Sequence, residues 1–289
     1  MHPGRLLLLG GLLIALLSAS GGLAAQGLIF RLTRDGTPSS YLIGTMHSAD
    51  ARVMALLDDI APLIETVDVV AIEVLPDAIT LLAVGAATLL PMGQSLHGLI
   101  GADRFAAVGA AADRHGVPVR LLNRLKPWAA AITLGMPAPD GGRFLDSEIY
   151  LHALARKRHA VGLETAAEQL EAFDDMAPDL QVALLDEVVK NISDLPTQLE
   201  LLTSAYLEGD LERLDGLARA QYHDMPAALA QWFDEVLLEQ RNARMLTRMG
   251  DLMEAQSVLV AVGALHLGGD SGLLAGIERL GYRIEQWPQ

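Results

Sequence analysis

The feature that most constrains the fold is a repeated alternation between short apolar runs and stretches in which apolar residues recur at helical spacing. Each run ends at a glycine, a glutamate or a turn residue, and a helical period follows it. Several runs are apolar on both faces, which is typical of strands in a sheet that helices cover on both sides. The candidate strands are residues 40–43, 67–74, 119–122, 160–163, 258–262 and 282–286. The pattern predicts an α/β fold with a central, mostly parallel or mixed sheet and helices on both faces.

The stretch from about residue 165 to 256 differs from the rest of the chain. It contains no clear strand pattern, and its apolar residues recur at helical spacing, for example at Leu180, Leu184 and Val188. We interpret it as a helical insertion of roughly four helices. With this insertion, we expect residues 26–289 to form a single α/β domain.

Residues 1–25 have the pattern of a secretory signal peptide. Arg5 provides the positive charge, residues 6–17 form the apolar stretch, and Gly22, Ala24 and Ala25 are small residues suited to cleavage. Glycine and serine interrupt the apolar stretch, which is short for a membrane span. We expect a periplasmic or secreted protein with no stable membrane association after cleavage, or a membrane-anchored protein if the signal stays in place. The chain contains no cysteine, so it can form neither a disulfide nor a lipid-modified cysteine.

The overall charge excludes one class of partner. The chain has 21 Lys and Arg residues against 36 Asp and Glu residues, and its formal net charge is −15. Such a charge repels a phosphate backbone and weakens attraction to anionic lipid. We therefore expect no nucleic-acid partner.

One short pattern occurs twice, near the two ends of the chain. Gly44-x-x-His47 follows the candidate strand at 40–43, and Gly263-x-x-His266 follows the one at 258–262. The carboxyl ends of the strands in an open α/β sheet line the crevice where ligands bind, and glycine permits a sharp exit of the backbone there. The sequence therefore predicts that the two histidines meet at one edge of the sheet.

Two other candidate strands lead into a carboxylate. Glu73 lies near the end of the run at 67–74, and Glu164 directly follows the run at 160–163. An ionised glutamate at a buried strand end needs a cation or a hydrogen-bond donor, although Glu164 could equally cap the helix that follows it. Arg241 continues an apolar stripe with Phe233 and Leu237 at helical spacing, which indicates that its guanidinium is buried or reaches water along the stripe.

Two histidines, one or two glutamates and an arginine form a workable hydrolytic set. Imidazole and carboxylate groups suit a divalent ion such as Mn, Co, Fe or Zn, which lowers the pKa of a bound water, and an arginine can stabilise an oxyanion. We expect His47, His266 and Glu73 to be metal ligands, and Glu73, Glu164 and Arg241 to be catalytic residues.

The chain also resembles the TraB/GumN family, which includes the TIKI metalloproteases that act on Wnt. The markers of the resemblance are Tyr41-Leu-Ile-Gly-Thr-Met-His47, Glu73, Arg124-Leu-Lys-Pro-Trp128, Asp146 before Tyr150-Leu-His152, Gly162-Leu-Glu-Thr165, Arg241-Asn242 and Val262-Gly-Ala-Leu-His266. The resemblance implies a divalent-metal-dependent hydrolase that cleaves peptides or proteins. It also implies that His47, Glu73 and His266 form the site, with Arg241 close by.

Three functions remain open from the residues. The first is a metal-activated water that attacks a peptide bond, with Glu73 or Glu164 as ligand or general base. The second is a metal-independent hydrolase, in which a histidine acts as general base on an ester. The third is a protein that binds a peptide signal or haem between the histidines without any reaction.

Overall fold

Six strands form one mixed sheet in the computed structural model, which describes residues 27–136, 143–222 and 225–287 and omits the side chain of Tyr222. The strands are β1 (Ile29–Thr33), β2 (Ser40–Thr45), β3 (Val69–Ile72), β4 (His159–Gly162), β5 (Val258–Gly263) and β6 (Arg283–Gln286). Their order across the sheet is β4-β3-β5-β2-β1-β6. The first four strands in this order are parallel to one another, whereas β1 is antiparallel to both of its neighbours. The predicted α/β fold with a mixed sheet is confirmed.

Fifteen α-helices lie between or after the strands of the described residues. They are α1 (Ala51–Met54), α2 (Leu57–Ile64), α3 (Ala78–Ala87), α4 (Leu96–Ile100), α5 (Ala102–His115), α6 (Val119–Leu122), α7 (Pro127–Gly135), α8 (Leu145–Ala155), α9 (Ala166–Asp174), α10 (Pro178–Asn191), α11 (Leu195–Leu207), α12 (Leu211–Tyr222), α13 (Ala227–Trp232), α14 (Gln240–Ala255) and α15 (Leu273–Arg279). A π-helical segment, Phe233–Glu239, joins α13 to α14, and a 3₁₀ turn, Ala264–His266, follows β5.

The buried apolar residues form two clusters. The larger cluster surrounds the central strands, and every residue of β3 is buried within it. The smaller cluster lies between Leu90 and Leu134 and between Met176 and Trp232, and most of its residues are helical. Helices from both sides of β4 in the sequence therefore share one helical core beside the sheet.

The structure corrects one predicted strand and adds another. Residues 119–122 form the short helix α6 instead of a strand, because Pro118 starts a helical turn in which only Leu122 is buried. A single buried residue cannot provide the apolar face that a strand needs within a sheet. The sequence pattern missed β1, which forms hydrogen bonds with β2 and β6.

The segment 166–255 contains only helical elements and connections within its described residues. It has six α-helices and the π-helical segment, which is more than the roughly four helices expected. The predicted signal peptide at 1–25 lies outside the described residues. Within those residues, no helix is both long enough and apolar enough to cross a membrane.

Candidate active site at the carboxyl edge of the sheet

Four neighbouring parallel strands deliver the predicted site residues to one edge of the sheet. The register pairs Thr45 of β2 with Gly263 of β5, and Ile72 of β3 with both Ala261 of β5 and Gly162 of β4. Since all four strands run in the same direction, their carboxyl ends lie side by side. His47, His266, Glu73 and Glu164 each follow one of these ends within three residues.

The glycines of the two Gly-x-x-His motifs allow close approach and do not serve a special backbone conformation. Neither Gly44 nor Gly263 has a positive φ. A Cβ atom on Gly263 would lie 3.2 Å from Glu73 Oε1, and one on Gly44 would lie 3.1 Å from the Cβ of Ala264. The expected reason for these glycines, a sharp exit of the backbone, is therefore wrong. Their lack of a side chain lets the second motif pack against the first and lets Glu73 reach the backbone.

Glu73 is held by a backbone amide and a guanidinium. Its Oε1 accepts a 2.7 Å hydrogen bond from the amide of Gly263, and its Oε2 accepts one of 2.6 Å from Arg241. Burial alone would raise the pKa of Glu73. At the acidic pH where Glu73 titrates, the positive charges of His266 and Arg241 outweigh burial and lower its pKa from 4.5 to about 2. Glu73 is therefore ionised at neutral pH.

Glu164 anchors Arg241 in the interior. The side chain of Glu164 is fully buried, with one oxygen 2.8 Å from Arg241 Nε and the other 2.7 Å from a terminal nitrogen of Arg244. Burial would lower the pKa of Arg241, but the charges of Glu73 and Glu164 raise it, so the guanidinium stays charged. Arg241 thus links two strand ends through two carboxylates. Of the two alternatives left open by the sequence, a guanidinium that is buried and one that reaches water, the structure shows the buried one.

The local geometry around Arg241 differs from the predicted apolar stripe. Phe233 and Leu237 belong to the π-helical segment and pack on the smaller core, whereas Arg241 belongs to α14 and faces the sheet edge. The wider turn of a π-helix changes the direction in which successive side chains point, so α-helical spacing does not carry across it. Arg241 also lines a cavity of about 260 Å³ between α9 and this segment.

His266 is a buried histidine whose tautomer follows from its neighbour. Its Nδ1 lies 2.7 Å from Oδ1 of Asn242, and the amide nitrogen of Asn242 donates to the carbonyl of Ser271 at 3.0 Å. That carbonyl can only accept, so Oδ1 of Asn242 faces the imidazole and requires a proton on Nδ1. Burial, reinforced by the charge of Arg241, lowers the pKa of His266 despite the opposing effect of Glu73. The neutral ring therefore presents the lone pair of Nε2 to Glu73 Oε1, 3.9 Å away.

His47 forms a second pair with a carboxylate, and it is more open to solvent. Its side chain is 56% exposed, and its Nδ1 lies 3.8 Å from Oδ2 of Asp146 on α8. The other oxygen of Asp146 accepts a hydrogen bond from Thr45 at the end of β2. Oδ2 of Asp146 is buried and has no hydrogen-bond partner among the described residues. A buried carboxylate oxygen without a donor is costly, so this oxygen is suited to a cation or a polar ligand.

The donor chemistry of these two pairs fits a divalent ion, but the arrangement is incomplete. Imidazole and carboxylate are suitable ligands, and His266 has the usual arrangement of a metal ligand, with one ring nitrogen fixed by an outer hydrogen bond and the other free. Across residues 27–136, 143–222 and 225–287, however, no three His, Asp or Glu side chains group so that they could hold a metal ion. Glu73 and His266 are the two residues that would hold an ion, and the described structure does not group His47 with them.

Sequence reasoning missed two residues of this site. Asp146 and Asn242 stood out only as markers of the family resemblance, and no role followed for either of them. Asn242 is the residue after Arg241, and helical geometry turns it toward the loop after β5 while Arg241 points to the carboxylates. A polar side chain beside a buried arginine on an otherwise apolar helix face was the available signal. Asp146 lies in the first turn of α8, and no periodicity there indicated its contact with Thr45.

The lowered pKa of Glu73 predicts a pH dependence of stability in metal-free protein. A carboxylate with a pKa near 2 in the folded state and 4.5 when unfolded contributes stability above pH 4.5, and this stability is lost as the pH falls toward 2. We expect the difference in free energy of unfolding between the wild type and Glu73→Gln to shrink by up to about 3 kcal/mol over that window. Urea unfolding in chelator from pH 6 to pH 3 measures this. A difference that stays constant would contradict it.

One comparison with known proteins identifies a family that spans the strand ends described above. The sequence profile of the TraB/PrgY/gumN family matches residues 28–286, which include all four strand ends and the helices between them. Searches of curated proteins and of solved structures gave no match. Because the profile covers nearly the whole described chain, the protein belongs to the TraB/PrgY/gumN family.

Proposed function

We propose that this protein is a metal-dependent hydrolase, exported to the periplasm or secreted, that cleaves peptide bonds. The observation that carries the proposal is the pair formed by His266 and Glu73. A neutral imidazole nitrogen and an ionised carboxylate oxygen, both hydrogen-bond acceptors, face each other at 3.9 Å on a buried strand edge. Two acceptors in this arrangement favour a cation or a donor between them.

The residues of the chain have separate tasks in this proposal. Glu73 supplies a fixed negative charge, because its low pKa makes it a poor proton acceptor at neutral pH. Asn242 holds the lone pair of His266 in place. A divalent ion, when bound, would supply a Lewis acid and lower the pKa of an attached water. Arg241 lies within hydrogen-bonding distance of Glu73 and could stabilise an oxyanion that forms beside it.

Glu164 serves this site through Arg241. Guanidinium groups occupy both of its carboxylate oxygens, and its side chain is fully buried. Because both oxygens already accept hydrogen bonds from charged donors, Glu164 is poorly placed to accept a proton from water. We therefore assign Glu164 to positioning Arg241 and place the reaction beside Glu73.

Metal removal and Glu73→Gln together test the proposal. We expect the purified protein to contain Mn, Co, Fe or Zn, to lose hydrolysis of a quenched fluorescent peptide library in chelator, and to regain it with added ion. Glu73→Gln removes the charge while it keeps the shape, so metal content should fall about 10-fold or more. Glu254→Gln, which changes an exposed glutamate, is the matched control and should bind metal as the wild type does.

A second function is favoured by the fixed tautomer of His266. A neutral imidazole with its lone pair directed into the site can act as a general base without metal. Esterase activity that survives complete removal of metal, and that disappears in His266→Ala, would support this function and reject the first. Undiminished peptide hydrolysis in chelator would likewise reject the metal-dependent mechanism.

A further inference from the structure

Helix α3 exposes apolar side chains to an unusual degree. None of its residues is buried, and Ile79, Leu81 and Leu82 are 80%, 62% and 76% exposed. Its half-buried residues lie at helical spacing on the side where the helix contacts α9. A helix that is apolar on all sides normally lies in a protein core or in lipid. We therefore expect the outer face of α3 to contact an apolar environment.

The exposed apolar surface continues beyond α3. Met92 is 95% exposed and Leu121 is 55% exposed. The chain after α3 runs alongside the segment that follows α6, since the amide of Leu90 donates to the carbonyl of Arg124 and that of Lys126 donates to the carbonyl of Thr88. We call the surface made of α3, Met92, Leu121 and the arginines beside Leu121 the α3 face.

Charge is distributed unevenly around the α3 face. Residues 78–102 contain no Asp, Glu, Lys or Arg. Arg120 and Arg124 lie on either side of Leu121, are exposed, and have no ion pair with an acidic side chain among the described residues. Of the five basic side chains of residues 78–136, Arg104 and Lys126 pair with acidic residues outside this range, and the positive charge of the α3 face comes from Arg120 and Arg124. The protein thus has one basic, apolar face even though its net charge is −15.

We propose that the α3 face docks on a membrane that contains anionic phospholipid. Apolar side chains next to unpaired arginines suit the boundary between lipid tails and negatively charged headgroups. A symmetric dimer through this face would bring the arginines of two copies together, and like charges oppose such contact. This proposal departs from our sequence-based expectation of no stable membrane association after signal cleavage, which considered only residues 1–25 and the net charge.

Docking would also place the candidate active site near the lipid. The strand that leads to Glu73 continues into α3, and the strand that leads to Glu164 continues into α9, which contacts α3. The docking proposal does not depend on the reaction, because it rests on exposure and charge alone.

Vesicle flotation of the full chain tests the proposal. We compare vesicles of phosphatidylcholine alone with vesicles that contain phosphatidylglycerol, and any contribution of residues 1–25 is the same in every variant. We expect binding to the phosphatidylglycerol vesicles to weaken at least 10-fold in Leu82→Asp and in Met92→Asp. Arg120→Gln with Arg124→Gln should weaken it by about 10-fold and reduce its salt dependence. Leu201→Asp, which changes an exposed leucine on α11, is the control and should bind normally.

Several outcomes would overturn the proposal. They are binding that is equal for the two vesicle types, binding that the α3-face substitutions leave unchanged, and an absence of binding by the wild type. A change from dimer to monomer in Leu82→Asp without a change in flotation would instead identify the face as a contact between copies. Circular dichroism checks that each variant is folded, and Met92 is so exposed that its substitution leaves the core untouched.

Discussion

Glu164→Gln is expected to lower the free energy of unfolding by about 3 kcal/mol, because it removes the negative charge that holds two guanidinium groups inside the protein. The side chains of Arg241 and Arg244 are 10% and 31% exposed, so water cannot fully replace the lost carboxylate as a partner for either guanidinium. The substitution keeps the volume of the side chain, and the effect therefore reports on charge. Denaturant unfolding at neutral pH measures it.

Glu168→Gln is the matched control for that experiment. Glu168 also pairs with an arginine, Arg248, but the two side chains are 27% and 40% exposed, and solvent weakens such a pair. The glutamine can still accept the hydrogen bond from Thr165 that caps α9. We expect a loss below about 1 kcal/mol. Equal losses in the two variants would show that the buried network contributes no more than an exposed ion pair.

His266→Ala is expected to reduce peptide hydrolysis by about 10²-fold to 10⁴-fold, whether the imidazole binds an ion or accepts a proton. Steady-state kinetics of purified protein measures this. The variant also leaves Oδ1 of Asn242 without its donor, at a cost of about 1–3 kcal/mol. His266 is only 6% exposed, so this loop histidine contributes to the buried interior as well as to the site.

Two other histidines separate a catalytic effect from a structural one. His47→Ala removes a proposed site residue and should therefore reduce hydrolysis strongly. Because the side chain of His47 is exposed, the free energy of unfolding should not change. His159→Ala changes an exposed side chain on β4 and should leave both properties unchanged. If His47→Ala and His266→Ala retain full turnover, then neither histidine takes part in the reaction.

The sequence predicted much of the site because the strand ends carry its polar residues. A glycine followed by a histidine after an apolar run, and a glutamate that closes such a run, place side chains at the carboxyl edge of a parallel sheet. The register between β2, β5 and β3 confirms that these ends are neighbours. The order of the strands itself did not follow from the sequence, since pairing between distant segments leaves no local pattern.

Residues on helices were harder to foresee. Asn242 and Asp146 contact the site from α14 and α8. The only signal for Asn242 was its place beside Arg241 on an apolar helix face, and no pattern distinguished Asp146 from a solvated residue. Residues 119–122 have the composition of a short strand, but their position after Pro118 and the exposure of Leu121 place them in a helical turn. Tertiary contacts decided the first two cases, whereas Pro118 was a local signal for the third.

The place of β5 in the sheet has a consequence for biosynthesis. This strand lies between β3 and β2, yet it is the next-to-last strand to be made. Until β5 inserts, β3 and β2 have no strand between them to join the two parts of the sheet. Glu73 then also lacks the hydrogen bond from the amide of Gly263. We therefore expect no chemistry at this edge in a nascent or truncated polypeptide that lacks β5.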